Sequence, residues 1–158
     1  MPILRFLTML SLVVWLGGIM FFAFVLAPTV FSVLPTHNLA GMVVSRALTV
    51  LHWIGIGSGI AYLAFSMIGS VWESGWAQPL ALRHVLVCIM LALVLVSQFG
   101  IGAKMQRLRA EMGVIDNVAQ DDARRVAFNH LHRWSTRTEG TILILGIVVL
   151  FLTTRRLS

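Results

Sequence analysis

A chain of 158 residues that is 58% hydrophobic and 11% charged has too few charges to coat a water-facing domain, because soluble domains carry about 25% charged residues. The formal charge is +6, but the basic residues stand at the ends of apolar runs instead of on one soluble face. That pattern excludes a nucleic-acid-binding balance and fits membrane topology and contact with anionic lipid headgroups.

Mean hydropathy is +0.90, and the apolar residues are clustered in runs long enough to cross a bilayer, which takes about 20 residues. The one cysteine, Cys88, lies inside such a run. An internal disulfide and a multi-cysteine metal site are therefore both excluded. The expected organisation is one domain over residues 1–158.

The first run covers residues 4–27 and is expected to stop at Pro28, which continues a helix poorly. It reads as a retained span, since it is too long for a signal-peptide core and Pro28 stands where cleavage would fall. Residues 29–46 read as a short loop with a partial helix from Asn38. The second span is expected over 47–71, between Arg46 and Glu73. A tight turn with Gly75 and Pro79 leads to the third span, 84–103, between Arg83 and Lys104.

Residues 104–134 form the one sizeable polar connection. Met105, Leu108 and Met112 continue the third helix on one face, and 113–120 break it. Asp121 and Asp122 are good N-terminal caps, and Ala123, Ala127, Leu131 and Trp134 recur at helical spacing. They predict a short interfacial helix leading into the fourth span, 135–154, which ends before Arg155 and Arg156. This segment could also be no more than an elbow joining two spans. The fold class is all-α: an integral membrane four-helix bundle with a short interfacial helix between the third and fourth spans.

The side with the first and third loops carries Arg46, Lys104, Arg107, Arg109, Arg124, Arg125, Arg133 and Arg137. The other side carries Arg5, Arg83, Arg155 and Arg156. The positive-inside rule then puts loops one and three in the cytoplasm and both termini outside. Trp72, Trp76 and Trp134 fall at the expected interfaces, as an aromatic belt requires.

Small residues allow helices to approach closely in lipid. Gly17, Gly18, Gly55, Gly59 and Gly146 are the candidates for helix packing. Gly55 and Gly59 have GxxxG spacing, which serves either the bundle itself or a homodimer face.

Polar groups inside a bilayer are costly and should face one another. In the second span Ser45, Thr49, His52, Gly55, Gly59, Tyr62 and Ser66 share a face. In the third, His84, Cys88, Leu95, Gln98 and Gly102 are expected on one face. In the fourth, His132, Ser135, Glu139, Gly146 and Thr153 are. His52 lies six residues past Arg46 and Gln98 six residues before Lys104, so both sit roughly 9 Å below the same rim. Glu139 lies at a similar depth.

His52, Gln98 and Glu139 are thus the central candidates for holding a ligand or a proton, with Thr29, Ser32, His37, Arg46, His132 and Arg137 nearer the mouth. Two readings fit: a polar cavity open toward loops one and three, or an interhelical hydrogen-bond layer in which Glu139 pairs with Arg137, Arg46 or His52.

Haem b would need histidines on facing helices. His52 with His132 is the best-placed pair, whereas His52 and His84 lie at opposite depths. Copper could use His and Met, but the eight Met are scattered. No HExxH or GxSxG motif is present. Asp116, Asp121 and Asp122 read as a solvated acidic run.

The segment Trp15-Leu16-Gly17-Gly18, then Ala27-Pro28, Phe31, Leu34-Pro35 and Leu39-Ala40-Gly41, resembles the four-span membrane family known as domain of unknown function 4149. A eukaryotic group, the transmembrane-protein-205-like proteins, looks similar. The resemblance continues with Phe128, Leu131-His132 and Ser135. It implies a four-helix membrane protein without an assigned reaction, in a bacterial inner membrane. The plan is also similar to the copper-resistance membrane domain and the haem-containing protoporphyrinogen oxidase family. The absence of two deep, level histidines, and of any histidine in the first span, departs from both.

The expected function is that of an accessory or structural subunit, or a small binding module, in a membrane complex, with the bilayer and a membrane partner or a second copy as its contacts. The alternatives are a transporter or ligand-binding protein using the His52–Gln98–Glu139 layer, and a haem b or copper redox protein.

Overall fold

The structure, a computed structural model, describes residues 2–75 and 81–157. Four helical rods account for nearly all of them: α1 (Pro2–Val33), α2 (His37–Ser74), α3 (Leu82–Met112) and α4 (Ala123–Leu157). Each is long and apolar enough to cross a membrane. Neighbours in sequence pack as neighbours in space, and α4 closes the ring against α1. Short antiparallel connections make this the natural arrangement.

The helix ends follow local chemistry. Thr36 accepts from Leu39 N–H at 3.2 Å and caps α2. Gly75 ends α2 with φ 77° and Gly113 ends α3 with φ 67°, conformations that cost glycine little. Asp122 Oδ1 accepts from Arg124 N–H at 2.8 Å at the start of α4. Its carboxyl is pulled down to about 2, chiefly by the Arg124 guanidinium that donates to it. The helix expected ahead of the fourth span is joined to it without a break, and a 3-10 turn, Ile115–Asn117, lies in the connection before it. Of the expected turn between the second and third spans, Gly75 is described. Pro79 and Trp76 lie outside the described residues. Trp72 and Trp134 are exposed, as an aromatic belt requires.

The first helix does not stop at Pro28. A π turn, Phe22–Leu26, precedes it, and α-helix resumes over Ala27–Val33. The Ala27 N–H reaches back five residues to the Phe22 carbonyl. This wider turn sits immediately before the proline, whose ring would otherwise press on the carbonyl one turn back. The first loop therefore shrinks to three residues, 34–36, and α2 begins at His37.

The core is one cluster built on Leu12, Trp15 and Ile19 of α1, Leu51 and Tyr62 of α2, Val87, Met90 and Val94 of α3, and Ile142 and Val149 of α4. Trp15 is 1% exposed, and its indole lies over the Gly55–Gly59 notch. A Cβ at Gly55 would stand 2.6 Å from its Nε1, and one at Gly59 2.9 Å from its Cζ3. The notch is therefore filled by this chain's own tryptophan and is not a free face for a second copy. Gly18 admits Leu51, and Gly146 admits Leu16. Gly17 corrects the expectation. It is exposed and meets nothing within 4 Å, because it lies 100° round the helix from the packed Gly18.

Candidate functional site

The second-span stripe lies on one face of α2: His52, Gly55, Gly59, Tyr62 and Ser66 are all buried. Opposite it, α3 carries a second π turn, Val96–Gly102. Both Ser97 and Gln98 reach the site from this turn. π turns are rare and often mark functional positions. α4 brings Glu139.

These groups meet at hydrogen-bond distance. His52 Nδ1 is 2.7 Å from Gln98 Oε1 and Nε2 is 2.7 Å from Glu139 Oε1. Ser97 Oγ donates to the same Glu139 oxygen at 3.3 Å. With two protons the His52 ring donates from both nitrogens to these oxygens. With one proton, on Nε2, Gln98 would turn its amide NH₂ toward Nδ1 instead; with it on Nδ1, Gln98 Oε1 still accepts. A proton passing between Nε2 and Oε1 leaves the pair's net charge unchanged.

The layer floors a cavity of about 690 Å³. Its walls are largely apolar, with Phe22, Phe24 and Phe31 of α1, Leu48 of α2 and Leu143 of α4. The rim toward the connections holds Arg109, Asp116, Arg125 and His132. Past the π turn, residues 27–33 of α1 stay against α2, while the packing of α1 on α4 belongs to its earlier turns. There Leu16 seats on Gly146. Closer to the rim, Gly140 lines the cavity, and a Cβ on it would meet nothing within 4 Å.

Several expected positions fall elsewhere. Arg46 and Arg137 are exposed and outside the cavity lining. Arg46 is one residue past Ser45, so 100° off the inward face, and Arg137 stands two residues, or 200°, from Glu139. Arg137 instead lies over the Trp134 ring at 5.8 Å. Glu139 pairs with His52 and not with either arginine. Cys88 and Leu95 are exposed, because the buried stripe of α3 runs through His84, Val87, Met90, Val94 and Ser97. Thr29 and Ser32 do not line the cavity, whereas His37 does.

Asp116 is not merely solvated. Its Oδ2 accepts from Asn38 N–H at 3.1 Å, across to the start of α2. Arg109, Ser97, Gln106 and Asn129 line the cavity without having been singled out. For Arg109 a signal existed: it lies eleven residues after Gln98, three turns on and nearly in phase.

The opposite end of the bundle carries more than His84. His84 Nε2 pairs with Ser66 Oγ at 2.8 Å, Tyr62 and Thr153 hydroxyls pair at 2.7 Å, and the Tyr62 ring meets His84 edge-on at 6.4 Å. All four residues are buried. This is an interhelical polar layer tying α2, α3 and α4.

The residues do not fit an axial haem pair. Both ring nitrogens of His52 are held by side chains of other helices, so iron ligation would break the layer. Among the described residues, no group of three or more His, Cys, Asp or Glu is placed to hold a metal ion.

Comparison with curated proteins and with solved structures finds no match. A family model described as a domain of unknown function, DUF4149, matches residues 10–113, which include Trp15, both π turns, His52, Gln98 and Arg109. With two thirds of its length matched, the chain belongs to the DUF4149 family.

Proposed function

We propose that the protein is a small binding module of the bilayer that takes one amphipathic molecule into the cavity above the His52–Gln98–Glu139 layer. The observation that carries this is the cavity itself: about 690 Å³, within the range of about 300–1,000 Å³ typical of small-molecule sites. It joins apolar walls to a few convergent polar groups, as such sites do. A layer serving packing alone would need no such space. The module would sit in a bacterial inner membrane with the cavity rim toward the cytoplasm, on the strength of the Lys/Arg count. Its short connections also suit an accessory subunit of a larger membrane complex. The 2.7 Å His52–Glu139 contact favours a second reading, a transporter, since proton transfer needs that reach.

Gly140 offers a test that spares the fold, because a Cβ added there meets nothing within 4 Å. In nanodiscs doped with 1-dodecanol, native mass spectrometry should find one alcohol per wild-type chain. Gly140→Leu should weaken retention by about tenfold, equivalent to 1.4 kcal/mol, with an unchanged melting temperature. Equal, measurable retention by both proteins would refute the binding reading.

A further inference from the structure

We infer that the ligand's polar end is an oxyanion, a carboxylate or phosphate on an apolar chain, and that Arg109 reads it. This rests on the binding reading above and names its ligand class. The berth of Arg109 is built from two distant parts of the chain. A Cβ at Gly41 would stand 2.7 Å from its Nη2, so the absence of a side chain on α2 gives the guanidinium its space. From α4, the Phe128 ring lies 5.3 Å from Cζ. Gly41 and Phe128 thus hold one cation from both sides.

That cation is not neutralised. Arg109 is partly buried, its Nε is shielded from solvent without a hydrogen-bond partner, and no carboxylate pairs with it among the described residues. The nearby rim carboxylate, Asp116, is engaged at the α2 N-terminus. The second rim guanidinium, Arg125, donates to the Val118 carbonyl. At the rim, two guanidinium groups therefore face the cavity against one carboxylate. Deeper in, Glu139 is matched by His52. A half-shielded guanidinium with an unused donor is the group that recognises carboxylate or phosphate, and charge-assisted hydrogen bonds are about twice as strong as neutral ones. The apolar wall below it, Phe22, Phe31 and Leu143, takes the chain.

The test compares four twelve-carbon probes in nanodiscs: dodecanoate, dodecyl phosphate, dodecyltrimethylammonium and 1-dodecanol. Wild type should retain at least one of the two oxyanions about tenfold more tightly than the alcohol, and the cation least, the tenfold step being 1.4 kcal/mol. Preference for dodecanoate identifies a fatty carboxylate, and preference for dodecyl phosphate a phosphorylated lipid. Both support the inference. Arg109→Gln should abolish the preference while alcohol retention persists, and Arg109→Lys should keep part of it. Equal retention of oxyanions and alcohol by wild type, or an undiminished preference in Arg109→Gln, overturns the assignment and leaves the cavity reading intact. Retention of no probe at all overturns both.

Discussion

His52→Leu should cost about 3 kcal/mol of stability, the low end of what breaking a buried charged pair costs. The low end applies because Ser97 Oγ still donates to the Glu139 carboxylate left behind. Two hydrogen bonds of 2.7 Å disappear, yet such bonds between membrane helices average only about 0.6 kcal/mol. The larger part of the loss is therefore the stranded carboxylate. Glu139→Gln should cost about 1 kcal/mol, because a neutral amide can still meet Nε2. Removing both partners should recover much of the loss, since apolar pairs often replace buried ion pairs without penalty. Reversible unfolding in mixed micelles would measure this, with a coupling energy of about 2 kcal/mol expected in the His52–Glu139 cycle. Additive losses would show two side chains that merely fill space.

Trp15→Ala should destabilise by about 2–3 kcal/mol for a different reason. Lipid tails are as apolar as the bundle interior, so the water-transfer part of the usual core penalty vanishes. The cavity part remains, at about 24 cal/mol per Å³ over roughly 100 Å³ of unfilled volume. The indole fills a notch that α2 itself cannot close, since Gly55 and Gly59 have no side chains to move into it. Gly59→Leu alone should also destabilise, by about 1–3 kcal/mol from overpacking, because an added Cβ meets both Trp15 and Leu91 under 3 Å. In the Trp15→Ala background the same substitution should cost less. The same unfolding assay would check the pair, and equal costs in both backgrounds would place Trp15 elsewhere.

The contrast between these two sites explains what could be read from residue order. On α2, an uninterrupted helix, a polar stripe over 45–66 can be followed by counting, and a rim-to-residue distance puts His52 level with Gln98 and Glu139. On α3 the same counting drifts. Stepping from His84 by four leads to Cys88, whereas the buried line steps by three to Val87 and Met90. Near the site, the π turn over Val96–Gly102 changes the phase again. Nothing in the composition of that turn announces it. The first π turn is different, because Pro28 marks the strain it relieves, though a proline alone does not tell a stop from a detour.

Arg109 shows a further limit. Counting charges for topology groups it with every other basic residue near the rim. Its inward position depends on Gly41 and Phe128, which lie 68 residues before it and 19 after it in sequence. The pairing of Tyr62 with Thr153 likewise needs the α2–α4 register, which no local pattern carries.

The account turns on the polar layer being the floor of a reachable cavity and not part of a sealed core. Cysteine accessibility measures that directly. In a Cys88→Ser background, Ser135→Cys should react with a small thiol reagent, because Ser135 lines the cavity at 8% exposure. Val149→Cys, at 0% exposure in the packed core, should stay protected under the same conditions. Equal protection of both cysteines in the folded protein would contradict the account.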